Sequence, residues 1–239
     1  METVSFTSPD FIKVNGVLSS AVGLWIDTPP VPPMAQQRIT SAKGGLDFDI
    51  SVRDDVWDDI TLKIDAYVFF TSDDFDLSPV YAYLADAQTL EISRFPGFYF
   101  KVRSVKAVSP QHQHDGERVK LSLQFVCKPF KYFTDNEYIP FDGEKITNPG
   151  TRFCRPVYHI TGAQTVTLTV NGSAFTISGA ESEDLYIDSE RLLCWRMNGA
   201  AAENILPKTS GQFPFLQPGS NNVSISAGTL TVKLNARCY

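Results

Sequence analysis

Histidine is scarce in this chain, catalytic signatures are missing, and basic charge runs short. Each gap closes off a class of function. There are 3 histidines in 239 residues. His112 and His114 are two apart, so on an extended segment they would point the same way and could begin a metal site with Asp115 as third ligand. The surrounding Gln-His-Gln-His-Asp-Gly reads as an exposed loop, and only His159 remains elsewhere. No convergent ligand set is expected, and no metal or cofactor. The 4 cysteines, Cys127, Cys154, Cys194 and Cys238, are widely spaced with no CxxC and no zinc spacing. They read as reduced thiols of a protein made in a cytoplasm, with Cys127 and Cys194 as small core residues in strand-like runs. There is no GxSxG, HExxH, P-loop or GxGxxG.

The acidic pairs Asp54-Asp55 and Asp58-Asp59 do not fill that gap. An EF-hand needs Gly at position 6 and Glu at position 12. Counted from Asp54, those positions hold Asp59 and Asp65. A glycan-active enzyme would need two carboxylates converging on a cleft, for which the sequence carries no further sign. The chain is not expected to be an enzyme.

Basic residues number 21 against 27 acidic ones, for a net charge of −6, which argues against a general nucleic-acid binder. The imbalance is local. Residues 1–145 hold 21 acidic and 14 basic side chains, net −7, whereas residues 146–239 hold 6 and 7, net +1. Residues 47–76 alone carry ten Asp against Arg53 and Lys63. The ordinary reading of such a run is a solvated face with acidic loops. No apolar run approaches the roughly 18–20 residues that cross a bilayer, so no membrane insertion is expected. Met1-Glu-Thr-Val-Ser-Phe lacks the basic start and apolar run of a signal peptide.

What is present is β-pattern and turn chemistry. The 15 Pro and 15 Gly imply many turns, and 43% hydrophobic content is enough for a sizeable core. Asn171-Gly172 is a strong type I′ signal, because that turn needs positive φ at both central positions. Folding there sets Leu168 opposite Phe175, Val166 opposite Ile177 and Thr167 opposite Thr176. Ala227-Gly228 predicts a second hairpin, with Ile225 facing Leu230 and Val223 facing Val232. Earlier, Leu46–Val52 and Ile60–Val68 alternate apolar with polar residues as half-buried strands. An Asp54–Asp59 loop would join them, with Val52 facing Ile60 and Ile50 facing Leu62. Trp57 in that loop reads as a packing anchor. Pro29-Pro-Val-Pro-Pro33 reads as an extended connector. One helix is predicted, with Ser78 as N-cap, Pro79 in the first turn, and an end near Leu90. A strand pair over Phe98–Val108 and Val119–Cys127 follows.

The aromatic, Pro-, Asn- and Gly-rich stretch 128–150 predicts a boundary between domains 1–145 and 146–239. In the second, Tyr186 and Trp195 lie near strands. Core packing is their ordinary role; stacking on a sugar is the sharper one.

The ordered series of these segments resembles the distal tail proteins of long-tailed (siphovirus) bacteriophages, over nearly the whole chain. The resemblance is carried by Phe11-Ile12-Lys13-Val14-Asn15-Gly16 with Gly23-Leu24-Trp25-Ile26, the Pro-rich connector and Gly44-Gly45, and the helix from Pro79. It continues through Pro96-Gly97 leading into Phe98–Val102, Phe125–Phe130, Asn148-Pro149-Gly150-Thr151, Pro156, Gly162, Asn171-Gly172 and Ile187-Asp188, and ends on Leu216-Gln217-Pro218-Gly219-Ser220-Asn221. It implies a mainly β protein: an N-terminal β-sandwich with one added helix that forms a homohexameric ring, and a C-terminal galectin-like β-sandwich projecting outward. The implied role is a hub at the distal end of the virion tail, joining the tail tube protein to tail-tip and receptor-binding proteins. In such a ring, Asp54, Asp55, Asp58 and Asp59 would form either an acidic lumen past which DNA slides or a polar surface for a neighbouring tail protein. The runner-up is a carbohydrate-binding adhesin acting through Tyr186 and Trp195; the galectin-like fold alone does not imply sugar binding.

Overall fold

The computed structural model describes residues 10–44, 48–69, 76–112, 118–143, 145–181 and 184–239, with the side chains of 40–55, 107–109 and 112 left aside. His114 and Asp115, and the side chain of His112, lie outside the described residues. The chain divides into two compact units, Met1–Lys131 with Tyr239, and Tyr132–Cys238. The division falls ahead of the expected 145/146. The reason is that Tyr138–Pro140, inside the irregular-looking stretch, forms a strand paired with Thr231–Lys233 of the second unit.

The first unit contains β1 (Ile12–Val14), β2 (Val17–Leu18), β3 (Leu24–Thr28), β4 (Gln37–Gly44), β5 (Phe48–Trp57) and β6 (Ile60–Phe69). Helix α1 (Ser78–Ala85), β7 (Thr89–Ile92), β8 (Phe98–His112) and β9 (Arg118–Phe133) follow. Its main antiparallel sheet runs β2-β1-β7-β8-β9-β6-β3. The two ends of that path are joined only by the 3-10 helix Ser19–Val22, so the sheet must curl and face itself across a core. Alternation fixes which residues enter it: Ile60, Leu62, Ile64, Ala66 and Val68 of β6 are buried, as are Val119, Leu121, Leu123, Phe125 and Cys127 of β9.

Two expectations fail in this unit. Val52 and Ile50 do not face Ile60 and Leu62. β6 pairs instead with β9, from Ile60↔Cys127 to Phe69↔Arg118, while β5 pairs with β4 as a separate ribbon. Asp54 and Asp55 therefore continue a strand, and only Asp58-Asp59 connects β5 to β6. A strand with one buried face is held best by a partner whose alternation buries the same face along its whole length. β9, distant in sequence, supplies that partner.

The helix also stops short of Leu90. At its start Leu77 holds the N-cap position without a side-chain cap, and Asp76 Oδ1 one residue earlier accepts the Ser78 N–H at 2.8 Å, so Ser78 is the first helical residue rather than the cap. Its end is taken over by Asn15. That side chain's Oδ1 accepts from the N–H groups of Gln88 (2.9 Å) and Thr89 (3.1 Å), and its Nδ2 donates to the Asp86 carbonyl at 2.9 Å. Leu90, fully buried, belongs to β7 and pairs with Val14.

The second unit is a two-layer sandwich. Its strands are β10 (Tyr138–Pro140), β11 (Lys145–Asn148), β12 (Val157–Thr161), β13 (Val166–Val170), β14 (Ser173–Ile177), β15 (Asp184–Asp188) and β16 (Leu193–Asn198). They continue with β17 (Ala201–Asn204), β18 (Thr209–Gly211), β19 (Gly219–Ile225) and β20 (Thr229–Lys233). One layer runs β10-β20-β12-β15-β16-β17 and the other β11-β19-β13-β14-β18, enclosing Tyr158, Ile160, Leu168, Phe175, Ile187 and Leu230.

The Asn171-Gly172 hairpin has the register read from the sequence: Val166↔Ile177, Thr167↔Thr176 and Leu168↔Phe175. Asn171 has φ 49° and Gly172 φ 85°, as a type I′ turn requires. The second expected hairpin is different. β19 lies in one layer and β20 in the other, so Ala227-Gly228 turns the chain across the sandwich rather than along a sheet. Val223 and Val232 are both buried in the core that the layers enclose. Alternation on two flanking strands has the same appearance whether the apolar faces meet within a sheet or across a core.

Candidate functional site

Tyr186 and Trp195 lie on the outer face of their sheet rather than in the core. Strand alternation sends Leu185 and Ile187 into the core and turns Tyr186 outward. Cys194 goes in and Trp195 out. The pairing of β15 with β16 sets Tyr186 opposite Trp195, and that of β12 with β15 sets His159 opposite Tyr186. The three rings stack across three strands. His159 and Tyr186 are 4.2 Å apart at 5°, and Tyr186 and Trp195 are 5.1 Å apart at 1°. Tyr138 on β10 meets His159 edge-on at 6.1 Å.

Tyr186 thus has both ring faces covered by neighbouring rings. It offers a ligand an edge rather than a stacking platform, and only Trp195 ends the stack. His159 and Tyr138 are the members that reading by type alone missed. The signal was there in β12, where His159 stands between the core residues Tyr158 and Ile160 and so must point outward.

His159 is held at both nitrogens. Nε2 lies 2.7 Å from Asp184 Oδ1, and Nδ1 lies 3.4 Å from the Thr231 hydroxyl. A carboxylate, an imidazole and a hydroxyl in sequence have the outline of a nucleophilic triad. Here they sit on the open face of a sheet, with the hydroxyl contact long and the imidazole face covered by Tyr186. The arrangement orients a ring in a stack.

On the opposite face of β16, Arg196 donates from Nε and Nη2 to Glu203 Oε2 at 2.9 and 2.7 Å. Its Nη1 donates to Glu181 Oε2 at 3.1 Å and to the Ala180 carbonyl. Lys208 Nζ donates to Glu181 Oε1 at 3.1 Å. Hydrogen bonds from Lys208 and Arg196 hold the Glu181 carboxyl below its ordinary value, and those from Asn198 and Arg196 do the same for Glu203. This network ties the chain at 179–181 to the β16–β17 hairpin.

Of the acidic quartet, Asp58 and Asp59 have local cationic partners. Arg38 Nη2 lies 3.0 Å from Asp58, and Arg103 Nε 2.8 Å from Asp59. The side chains of Asp54 and Asp55 lie outside the described residues. Trp57 packs against Phe130 and Tyr239 at 5.7 and 5.1 Å, in the anchoring role read for it.

The residues in the motif-like turns of the second unit prove to be internal staples. Asn221 is fully buried. Its Oδ1 accepts from the Gln217 N–H and Asn171 Nδ2, both at 2.8 Å, and its Nδ2 donates to the carbonyls of Gln217 and Gly219, both at 2.8 Å. Asn148, also buried, accepts from the Gly150 N–H and donates to the Arg152 carbonyl, each at 2.9 Å. The thiols are buried as well, and burial pushes Cys127, Cys154 and Cys194 up to about 12, far from a reactive thiolate. Among the described residues no group of three or more metal-ligating side chains converges.

No family model and no curated protein matches the sequence. Among solved structures, the fold is similar to that of SPP1 Dit (gp 19.1), a protein described as a paradigm of the hub adsorption apparatus in phages that infect Gram-positive bacteria. The TM-score is 0.73 at 13% sequence identity, over 95% of this chain and 98% of that one. At that identity the likeness is one of fold. It spans both units.

Proposed function

We propose that this chain is a structural hub of a phage tail tip. In this reading it forms a hexameric ring through its first unit and connects the tail tube to the tail-tip and receptor-binding proteins. The observation that carries it is the end-to-end fold likeness to SPP1 Dit, 95% of one chain on 98% of the other. A shared single sandwich would mean little, since sandwiches host many functions. Two successive units of matching architecture and length are a narrower coincidence. The interior supports the same role, for its buried polar groups hold turns in place and its thiols are inert.

The test is particle mass in solution and in the presence of a tail tube protein. A species six times the 26.6 kDa of one chain is expected. A chain that stays monomeric with its tube partner present would overturn the ring. The galectin-like character of the second unit belongs to the same proposal, with its outer sheet positioning a receptor-binding protein.

Within the ring, the acidic segment would repel DNA phosphates from the lumen. The Arg38 and Arg103 pairs temper that charge at Asp58 and Asp59. Reversing Asp54, Asp55, Asp58 and Asp59 to Lys should slow DNA ejection from assembled particles. Normal ejection together with failed tail assembly would assign these residues to a protein contact instead. The adhesin alternative through Tyr186 and Trp195 has less support, because the stack covers both faces of Tyr186.

A further inference from the structure

A groove of about 160 Å³ opens at one end of the sandwich, away from the aromatic stack, between the β13–β14 hairpin and the segment that follows β18. One wall is the hairpin tip, Val170, Asn171 and Ser173; the other runs from Gln212 to Gln217. That second wall is extended. Pro214 and Leu216 turn inward and are buried, while Phe215 and Gln217 are exposed, Phe215 at 42%.

Both walls are anchored from behind. Leu216 exchanges backbone hydrogen bonds with Cys154 at 2.9 and 3.0 Å, and Asn221 clamps the Gln217 backbone N–H and carbonyl at 2.8 Å each. Asn171 is tied to Asn222, with its N–H donating to the Asn222 carbonyl at 2.9 Å and its Oδ1 accepting the Asn222 N–H at 3.0 Å. Phe213 leans on the buried Phe175 at 4.9 Å, and Phe215 meets Phe153 at 5.8 Å. The side chains of Ser173, Gln212 and Gln217 are exposed and take no part in the unit's own hydrogen-bond network among the described residues.

From this we infer a monosaccharide-binding subsite in the Phe215 groove, separate from Tyr186 and Trp195. The chemistry selects the ligand. Two amides and a hydroxyl supply both donors and acceptors without charge, which suits the adjacent hydroxyls of a neutral sugar. The exposed Phe215 ring suits the apolar C–H face of a pyranose. The volume is small against the roughly 300–1,000 Å³ of drug-sized ligand pockets, so it fits one sugar ring. Because the walls are fixed by backbone clamps, little ordering cost accompanies binding. The inference does not depend on the hub reading. A hexamer that binds no sugar, or a sugar-binding monomer, would separate the two.

The experiment is saturation-transfer NMR and titration of the full chain with the methyl glycosides of glucose, galactose, N-acetylglucosamine and rhamnose. At least one should bind at millimolar strength. Phe215→Ala and the double variant Gln212→Ala/Gln217→Ala should each weaken that binding about tenfold, the loss of roughly one hydrogen-bonded or stacked contact. Trp195→Ala should leave it intact. These side chains are exposed, so the variants should keep the wild-type fold, checked by their melting curves. Failure of all four glycosides to bind overturns the inference. So does binding that survives the groove variants, or binding that Trp195→Ala abolishes.

Discussion

Single side chains in this protein matter mostly for the backbone they satisfy. Asn221 is the strongest case: removing it at once strips partners from the Gln217 N–H and from the carbonyls of Gln217 and Gly219. Asn221→Ala should destabilise the second unit by about 3 kcal/mol, read as a lower urea midpoint at unchanged slope. Gly150 is needed for space rather than for conformation, since a Cβ there would fall on the Arg237 carbonyl oxygen, and backbone atoms cannot step aside. Gly150→Ala should cost about 2 kcal/mol, and Gly150→Val more. A smaller effect of Gly150→Val than of Gly150→Ala would contradict a steric cause.

Secondary-structure elements show where local reading holds and where distant contacts override it. The β13–β14 hairpin was legible to the residue pair, because the turn residues and the alternating strands lie within one short window. The end of α1 was not, because it is decided by Asn15, far back in the chain, which binds the N–H groups of Gln88 and Thr89 where β7 begins. β6 could not be assigned its partner either: β5 is nearer in sequence and equal in length, but β9, far along the chain, runs beside β6 over its whole length with the same alternation. The candidate site was half legible. Tyr186 and Trp195 were visible as aromatics near strands, but their stacking depends on the β15–β16 and β12–β15 registers, which no local window contains. The Phe215 groove left no sequence signature at all, because its walls meet only through the sandwich.

The Arg196 network gives an element-level pH dependence. Glu181 and Glu203 are held below their ordinary value of 4.5 in the folded state. Their contribution is therefore complete above that value and is lost as pH falls through their lower folded-state values. The melting temperature should decline between about pH 5 and 3, and Glu203→Gln should flatten that decline. Unchanged steepness in Glu203→Gln would assign the acid sensitivity elsewhere.

For the whole molecule, uneven charge would set the terms of the proposed ring. If the first unit forms the ring, its residues 1–131, with 17 acidic and 13 basic side chains for a net −4, set like charges facing one another around it, and salt should screen them. The hexamer fraction should then rise with ionic strength from about 0.05 to 0.5 M, measured by analytical ultracentrifugation. A ring that dissociates as salt is added would instead point to intersubunit ion pairs.

The crossing at Ala227-Gly228 also has a mechanical side. Because β19 and β20 belong to different layers, the chain is stitched through the sandwich near its C-terminal end. Tension applied beyond Lys233 first loads β20, which is flanked by β10 and β12, and reaches β19 in the other layer through a turn of a few residues. The layers should resist peeling apart until the β12–β20 ladder breaks, so a sandwich pulled in this way should yield in one abrupt rupture rather than unravel strand by strand.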